Sequence, residues 1–359
     1  MTATASIPSP LADVLARIVA PGTPALADAL QHLLDHKTKP VGSLGRLEPL
    51  ARQIGGILGT TEPRLEAPQM LLFAADHGLA RQGVSAYGQE VSWQMAQNIL
   101  HGGAAISVLT RQHGIGLTLI DCGIAQPLPA HPQLRSAKVL PDGSADASEQ
   151  PAMTLPQCLQ AIEVGREAVR HAPGNAILLG ELGIGNTSAA ALLLARLENL
   201  PIEDCTGAGT GMHGAAWEHK VAVLRQVLHT HAAVTEPLDV LAALGGLELA
   251  AMVGAVLQAA LEQRVIVVDG FVTSAAVLVA ARLQAQVLGY CVFSHLSHEQ
   301  GHCLMLQALQ ASALLQMDLR LGEGSGAALA WPLLESACRI LCEMASFATA
   351  GVSTARTAV

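Results

Sequence analysis

Short apolar runs alternate with longer stretches rich in alanine and leucine along most of this chain. The runs are apolar at successive positions, as in strands that are buried on both faces of a parallel sheet. The stretches between them have the length and composition of helices, so the pattern predicts repeated strand–helix–strand units. The predicted strands are residues 70–75, 117–120, 176–179, 265–268 and 290–293. The predicted helices include residues 89–109, 159–172, 188–197, 240–261 and 333–347.

A polar or acidic residue closely follows each predicted strand. These residues are Asp76, Asp121, Glu181, Asp269 and Ser294. The carboxyl ends of parallel strands meet at one edge of the sheet, and ligands bind outside that edge, so we expect these residues on one rim. The pattern therefore predicts an α/β protein with a ligand site at the carboxyl edge of a parallel sheet.

The segment 176–197 combines a predicted strand, a glycine loop and a predicted helix. Its loop, residues 180–187, reads GELGIGNT and places Glu181 just past the strand. Glycines allow a ligand to approach the backbone, and the N–H groups at a helix start attract an anion. Two further glycine loops, 207–211 and 322–326, also precede helices, and neither has the spacing of a P-loop or a dinucleotide fingerprint. With Lys220 nearby, these loops favour a mononucleotide ligand.

Composition and charge narrow the class of protein. The 359 residues are 51% hydrophobic but only 3% aromatic, and 34 of them are glycine, so small side chains fill the predicted core. This length suffices for one large domain or for two. The formal net charge is −9, and no basic patch is interleaved with aromatic residues, which argues against a nucleic acid partner.

The cysteine pattern and the apolar stretches predict a cytoplasmic protein. Seven cysteines are scattered without a Cys-x-x-Cys pair, as is typical of reduced thiols. No basic segment followed by an apolar core opens the sequence, so no signal peptide is predicted. Residues 240–261 are long and apolar, but Gly245, Gly246 and Glu248 interrupt them, which predicts a buried helix rather than a membrane span.

Residues 298–302 read HEQGH and match the H-E-x-x-H pattern of zinc proteases. That pattern requires both histidines on one face of a regular helix, and Gly301 inside the turn disfavours such a helix. The alternative that follows is a zinc hydrolase with His298, His302 and Glu323 as ligands and Glu299 as the base.

Two carboxylates, Glu181 and Glu323, lie in glycine-rich loops beside strongly apolar segments. Burial raises a carboxyl pKa and makes the group a usable base near neutral pH. Each glutamate is alternatively a helix-start acid that accepts backbone N–H groups. Likewise, Asp76 and His77 at the first strand end are either an acid–base pair or part of a hydrogen-bonded turn.

Eight segments together resemble the nicotinate-nucleotide:dimethylbenzimidazole phosphoribosyltransferases of cobalamin nucleotide-loop assembly. In chain order they read KPVGSLGRLE (39–48), AADHGLARQGVSAYGQEV (74–91), GELGIGNTSAA (180–190), GAGTG (207–211) with Lys220, LGGLELAAMVGAVL (244–257), VVDGF (267–271), FSHLSHEQGH (293–302) and RLGEGSGAALA (320–330). They run in the order of the family over nearly the whole chain, so the combination is specific although each segment alone is weak.

The resemblance implies transfer of the phosphoribosyl group of nicotinate mononucleotide to 5,6-dimethylbenzimidazole. The products are α-ribazole 5′-phosphate, formed with inversion at C1′, and nicotinate. The family's base falls on Glu323, and its second acidic motif falls on Glu181, which we expect to assist. No metal or redox cofactor is implied. The preferred acceptor, whether a benzimidazole, a purine or a phenolic compound, stays open.

The resemblance also implies a set of substrate-binding residues. Those expected at the nucleotide are Gly183, Asn186, Thr187, Gly207, Gly209 and Lys220. Those expected along the same rim are Asp76, His77, Asp269, Gly270, Phe271, Ser294 and His295. Those expected near the acceptor base and the catalytic loop are Tyr87, Met95, Leu321 and Gly322.

The family fold is a Rossmann-like α/β domain with a parallel sheet and flanking helices, plus a small helical domain built from both chain ends. Here this implies a small domain of residues 1–60 and 331–359 and a catalytic domain of residues 61–330. It also implies a homodimer with active sites near the subunit interface. A non-catalytic nucleotide-binding protein of the same fold is a further alternative.

Overall fold

Parallel strands form the centre of the computed structural model, which describes residues 8–209 and 211–353. The predicted regions 1–7 and 354–359 of the small domain, and Thr210 of the second glycine loop, lie outside the described residues. The strands are β1 (Gln69–Ala75), β2 (Gly116–Gly123), β3 (Leu134–Ser136), β4 (Ala176–Leu182), β5 (Val265–Val268), β6 (Cys291–Phe293), β7 (His295–Leu296) and β8 (Leu315–Gln316).

The six-stranded sheet has the order β3-β2-β1-β4-β5-β6, and all its neighbours are parallel. Leu71 in β1 lies opposite Thr118 on one side and Leu179 on the other. From β1 in the middle of the sheet, β2 and β3 follow on one side, and β4, β5 and β6 follow on the other. This order is that of the doubly wound Rossmann sheet, in which ligands bind where the direction reverses.

The strand predictions are confirmed, with corrections at their ends. β5 has the predicted bounds, and every residue of β4 and β5 is buried, as their continuous apolar runs indicate. β4 extends through Gly180 and Glu181 to Leu182, because these residues continue the parallel pairing with β1. Glu181 is therefore a strand residue, and the glycine loop begins only at Gly183. The segment 127–156 contributes the short edge strand β3.

Helices cover both faces of the sheet. They are α1 (Ser9–Arg17), α2 (Pro24–Asp35), α3 (Leu47–Ile57), α4 (Glu90–Leu100), α5 (Ala105–His113), α6 (Leu155–His171), α7 (Asn186–Glu198), α8 (Ile202–Cys205), α9 (Ala215–Thr230), α10 (Pro237–Leu244), α11 (Leu247–Leu261), α12 (Phe271–Leu283), α13 (His302–Ala308), α14 (Ser325–Glu343) and α15 (Phe347–Ala350). Short 3₁₀ turns occupy Gly78–Gln82 and Ala285–Tyr290. α11 packs against α6 and α12, and nearly all of its residues are buried.

Three helix predictions differ most from the observed bounds. The predicted helix 89–109 is two helices, α4 and α5, because the chain turns at Gly102 and Gly103, which have low helix propensity. The predicted helix 240–261 is α10 and α11, separated at Gly245 and Gly246. The last long helix, α14, begins at Ser325 rather than at residue 333. Within the described residues, no helix has the length and apolar character needed to cross a membrane.

The two ends of the described chain meet beside the sheet. α3 packs against α14, and the Lys37 ammonium donates to the Met344 carbonyl at 2.6 Å. The Thr38 N–H donates to the Ala345 carbonyl at 3.0 Å. The proposed division at residue 330 falls inside α14, so one helix would serve both the small domain and the catalytic domain.

Candidate active site

A cavity of about 500 Å³ lies at the carboxyl ends of β4, β5 and β6. Residues that follow these strands form its walls, together with the segment before α14 and the start of α4. This position is next to the β1–β4 reversal, where a doubly wound sheet binds its ligand. The residues expected from the sequence that line it are Tyr87, Met95, Glu181, Gly183, Asn186, Thr187, Gly209, Asp269, Gly270, Phe271, His295, Leu321, Gly322 and Glu323.

Five expected residues lie behind the cavity wall instead: Asp76, His77, Gly207, Lys220 and Ser294. Ser294 donates its hydroxyl to the Asp269 carbonyl at 2.9 Å and so supports the wall. The Asp76 Oδ2 accepts the Ala125 N–H at 2.9 Å, which joins the segments that follow β1 and β2. The Lys220 ammonium is buried and lies 3.5 Å from both Thr187 Oγ1 and the Gly207 carbonyl.

His77 forms a buried pair with Glu248, a residue that the sequence does not mark as functional. His77 Nε2 and Glu248 Oε1 are 2.6 Å apart, and both side chains are shielded from solvent. Burial lowers the pKa of His77, but the Glu248 carboxylate outweighs it and brings that pKa above its ordinary value. The pair lies directly behind Gly183, whose Cα faces the His77 ring. It stabilises the floor of the cavity rather than contacting its contents.

Three carboxylates converge on the cavity from separate parts of the chain. Glu181 Oε1 accepts the N–H of Glu323, which is 142 residues away in sequence, at 3.4 Å. Glu181 Oε2 accepts from the Asn186 amide at the start of α7. Asp269 accepts the Gly324 N–H at 3.2 Å and the Ala327 N–H at 3.0 Å. Asp269 thereby caps the N-terminus of α14 and fixes the loop that carries Glu323.

The backbone of this loop is held in an uncommon conformation. Glu323 has φ 62°, between Gly322 at 82° and Gly324 at 83°. A non-glycine residue with positive φ is disfavoured, and such strain is maintained where the surrounding structure determines it. The Glu323 side chain lines the cavity, and its Oε2 has no hydrogen-bond partner among residues 8–209 and 211–353. This oxygen is therefore free to accept a proton from a ligand.

Burial raises the pKa of all three carboxyl groups. It brings the pKa of Glu181 to about 8, reinforced by the negative charge of Asp269 and opposed by the Asn186 hydrogen bond. It brings the pKa of Asp269 to about 7, although backbone N–H groups oppose it. Burial also raises the pKa of Glu323, against a hydrogen bond from Ile106. His295, beside Asp269, is neutral near pH 7 because burial lowers its pKa to about 4.

These shifts predict that the protein loses stability as pH rises. Because the folded-state pKa of Glu181 exceeds its ordinary value of 4.5, its contribution is fully present below about pH 4.5 and is lost as pH rises through about 8. We expect the free energy of unfolding in urea to fall by about 3 kcal/mol from this group between about pH 6 and pH 9. Glu181→Gln should decline less steeply than the wild type over that range. Equal slopes for the two proteins would contradict the prediction.

The H-E-x-x-H segment does not form the arrangement that a zinc site needs. His298 is exposed, whereas His302 is buried and accepts the Ser297 N–H on Nδ1 at 2.8 Å. The other ring nitrogen of His302 lies 3.2 Å from the Ser274 hydroxyl. α13 begins only at His302, so the two histidines do not share a helix face. Among the described residues, no three or more His, Cys, Asp or Glu side chains are arranged so that they could hold a metal ion.

Sequence reasoning missed several residues that line the cavity. They are Val91, Leu182, Ile184, Val272, Thr273, Ser297 and Arg320. Val91, Leu182, Ile184, Ser297 and Arg320 fall within the quoted segments 74–91, 180–190, 293–302 and 320–330, so the resemblance itself carried a signal for them. Glu299 also lines the cavity, although the sequence assigned it only to the zinc alternative. Val272 and Thr273 carried no such signal, because they follow the quoted segment 267–271 and belong to a helix whose pattern is that of an ordinary core.

Comparisons with known proteins identify the family of this chain. A family model described as a phosphoribosyltransferase matches residues 19–352. The nicotinate-nucleotide–dimethylbenzimidazole phosphoribosyltransferase of Variovorax paradoxus (strain S110) is 63% identical over 329 residues, which cover 92% of this chain and 94% of the relative. The protein of the same name from Cupriavidus necator is 54% identical over 340 residues, or 94% of this chain and 98% of the relative.

Solved structures match over the same extent. The nicotinate-nucleotide–dimethylbenzimidazole phosphoribosyltransferase from Thermus thermophilus has a TM-score of 0.88 and 38% identity, over 92% of this chain and 99% of that one. A structure of CobT from the same organism has a TM-score of 0.89 and 39% identity, over 92% and 100% of the two chains. This chain belongs to the nicotinate-nucleotide–dimethylbenzimidazole phosphoribosyltransferase family of pentosyltransferases.

Proposed function

We propose that the cavity transfers the phosphoribosyl group of nicotinate mononucleotide to 5,6-dimethylbenzimidazole or a related aromatic base. The products are α-ribazole 5′-phosphate and nicotinate. The observation that carries the proposal is the Glu323 carboxyl group, which faces the cavity from a strained loop with one oxygen unpartnered among the described residues. A buried carboxyl with a raised pKa in a cleft has the properties of a general base.

The bond changes explain why a base is needed on the acceptor side. The C1′–nitrogen bond to the pyridinium breaks, its electron pair goes to the ring nitrogen, and neutral-ring nicotinate departs without an acid. The acceptor nitrogen attacks C1′ from the opposite face, which inverts this centre, and the benzimidazole gains positive charge. Glu323 removes the proton from the other ring nitrogen and so cancels that charge.

Glu181 supports this step from behind the loop. Its Oε1 holds the backbone N–H of Glu323, and its Oε2 is held by Asn186. With a pKa of about 8, Glu181 is mostly protonated at neutral pH in the free protein. A protonated Glu181 leaves Glu323 as the carboxylate that accepts the acceptor's proton, because fewer negative charges then compete in the site.

The rest of the cavity divides into a polar end and an apolar end. At the polar end, Thr187 lies in the first turn of α7, where backbone N–H groups attract a phosphate. The Lys220 ammonium lies behind Gly209 and adds positive charge there. At the other end, Tyr87 and Met95 offer an apolar surface that suits a flat aromatic acceptor.

We also propose that the protein acts in the cytoplasm and as a homodimer. Its seven cysteines are all free thiols, which fits a reducing compartment. Two large apolar side chains at the cavity, Tyr87 and Leu321, are 55% and 58% exposed. Apolar groups concentrated at the edge of a site are typical of a surface that a second copy covers.

The proposed reaction is tested by mixing the protein with nicotinate mononucleotide and 5,6-dimethylbenzimidazole in the presence of EDTA. Chromatography should reveal α-ribazole 5′-phosphate and nicotinate in equal amounts. Adenine and a phenol, run in parallel, identify the preferred acceptor. Turnover only after a divalent metal is added would favour a metal-dependent reaction instead. Nucleotide binding without product for any acceptor would indicate a non-catalytic nucleotide-binding protein.

A further inference from the structure

Glu299 is a carboxylate of the cavity wall that the proposed reaction does not use. It follows β7 and lines the same cavity as Glu181 and Glu323, and the residue is 9% exposed. Its Oε2 is buried and has no hydrogen-bond partner within residues 8–209 and 211–353. A buried carboxylate oxygen without a partner is costly, so the position calls for a ligand that donates hydrogen bonds.

Lys220 presents the opposite charge at the same place. Its ammonium makes only long contacts, 3.5 Å each, to Thr187 Oγ1 and the Gly207 carbonyl. In the described part of the chain it forms no direct ion pair with Glu299. Burial lowers the pKa of Lys220 to about 8, and the charge of Glu299 opposes that shift. The two buried opposite charges therefore interact electrostatically without forming a direct ion pair.

The second glycine loop separates these two charges. A side-chain carbon at Gly207 would lie 2.2 Å from Glu299 Oε2, and one at Gly209 would lie 3.0 Å from the Lys220 ammonium. Because both positions are glycine, the carboxylate lies against the loop on one side and the ammonium lies against it on the other. Any larger residue at Gly207 would displace the Glu299 carboxylate.

We propose that Glu299 binds the vicinal hydroxyl groups of the ribose of the nucleotide substrate. A carboxylate has two acceptor oxygens and matches the two O–H donors of a ribose diol. It repels a phosphate, so the phosphate belongs on the Lys220 side of the loop and the diol on the Glu299 side. The inference rests on the proposed function, because it takes the nucleotide of that reaction as the ligand.

This contact would also assist the transfer itself. C1′ gains positive charge as its bond to the pyridinium breaks, and that charge is next to the 2′-carbon. A carboxylate that accepts the 2′-hydroxyl hydrogen stabilises the developing charge more than it stabilises the ground state. Glu299 is therefore expected to influence kcat as well as nucleotide binding.

The test compares nicotinate mononucleotide with its 2′-deoxy and 3′-deoxy analogues by calorimetry, without an acceptor base. Wild type should bind the parent nucleotide about tenfold to a hundredfold more tightly than at least one analogue, the range for a lost charged hydrogen bond. In Glu299→Gln, the parent nucleotide should bind about tenfold more weakly and the preference over the analogue should shrink by a similar factor. Glu62→Gln, an exposed carboxylate outside the cavity, is the matched control and should keep the full preference.

Two results would overturn this inference. One is equal binding of the parent and both analogues by the wild type, which needs no variant and so does not depend on how Glu299→Gln folds. The other is an undiminished preference in a folded Glu299→Gln. Failure of the proposed function is seen separately, as absence of wild-type turnover with every acceptor tested.

Discussion

Glu323→Gln is expected to lower kcat for phosphoribosyl transfer by about 10²- to 10⁴-fold, the usual contribution of a general base. Glutamine keeps the shape of the side chain but cannot take the proton from the acceptor's second ring nitrogen. The Glu323 backbone N–H still donates to Glu181 Oε1 and Asp269 still caps α14, so the cavity should keep its form. Nucleotide affinity, measured by calorimetry, should therefore change by less than about threefold, because the altered group acts on the acceptor.

The pH dependence of the wild type gives an independent check on the same residue. Only the ionised carboxylate accepts a proton, so kcat should increase with pH on the acid side of the profile. Burial raises the pKa of Glu323, which places that increase above the range of an ordinary glutamate. In Glu323→Gln, kcat should not show this increase on the acid side of the pH profile. If the variant retains kcat within about tenfold of the wild type, the base is another group, and Glu181 becomes the residue to replace next.

Gly322→Ala is expected to reduce activity by more than about a hundredfold, because displacing a catalytic loop by about 1 Å has effects of that size. A side-chain carbon at this position would lie 2.2 Å from Glu181 Oε1, and the residue has φ 82°. The collision would push Glu181 and the loop apart and break the contact that positions Glu323. Activity and the free energy of unfolding in urea are the two quantities to measure.

Gly59→Ala is the control that distinguishes the effect of the collision with Glu181 from the effect of placing alanine at a positive φ. Gly59 also has positive φ, 67°, but a side-chain carbon there would meet nothing within 4 Å. Each alanine should therefore cost about 1–2 kcal/mol of stability from its left-handed conformation, and only Gly322→Ala should lose activity. Equal activity for the two variants would mean that the contact between the loop and Glu181 does not position the base.

The sequence by itself determined the parallel sheet and the identity of the loops at its rim. The strand 265–268 is bounded by Arg264 and Asp269, and its short run of four β-branched apolar residues is typical of a buried strand. The family resemblance marked Glu181 and Glu323 before any geometry was known, and both line the cavity. These inferences succeeded because periodicity and glycine-rich motifs are local properties of the chain.

Tertiary structure alone decided which polar residues at the strand ends face the cavity. Asp269 and Asp76 each follow directly after an apolar strand in the sequence. Asp269 lines the cavity, whereas Asp76 accepts a hydrogen bond from the Ala125 N–H behind the wall. His77 turns away to meet Glu248, 171 residues further along the chain. Side-chain direction depends on which elements pack against each strand end, and a local pattern does not contain that information. For the same reason, HEQGH matches a zinc motif in sequence although its two histidines lie in different surroundings. The position of Glu299 in the cavity wall is likewise visible only in the folded structure.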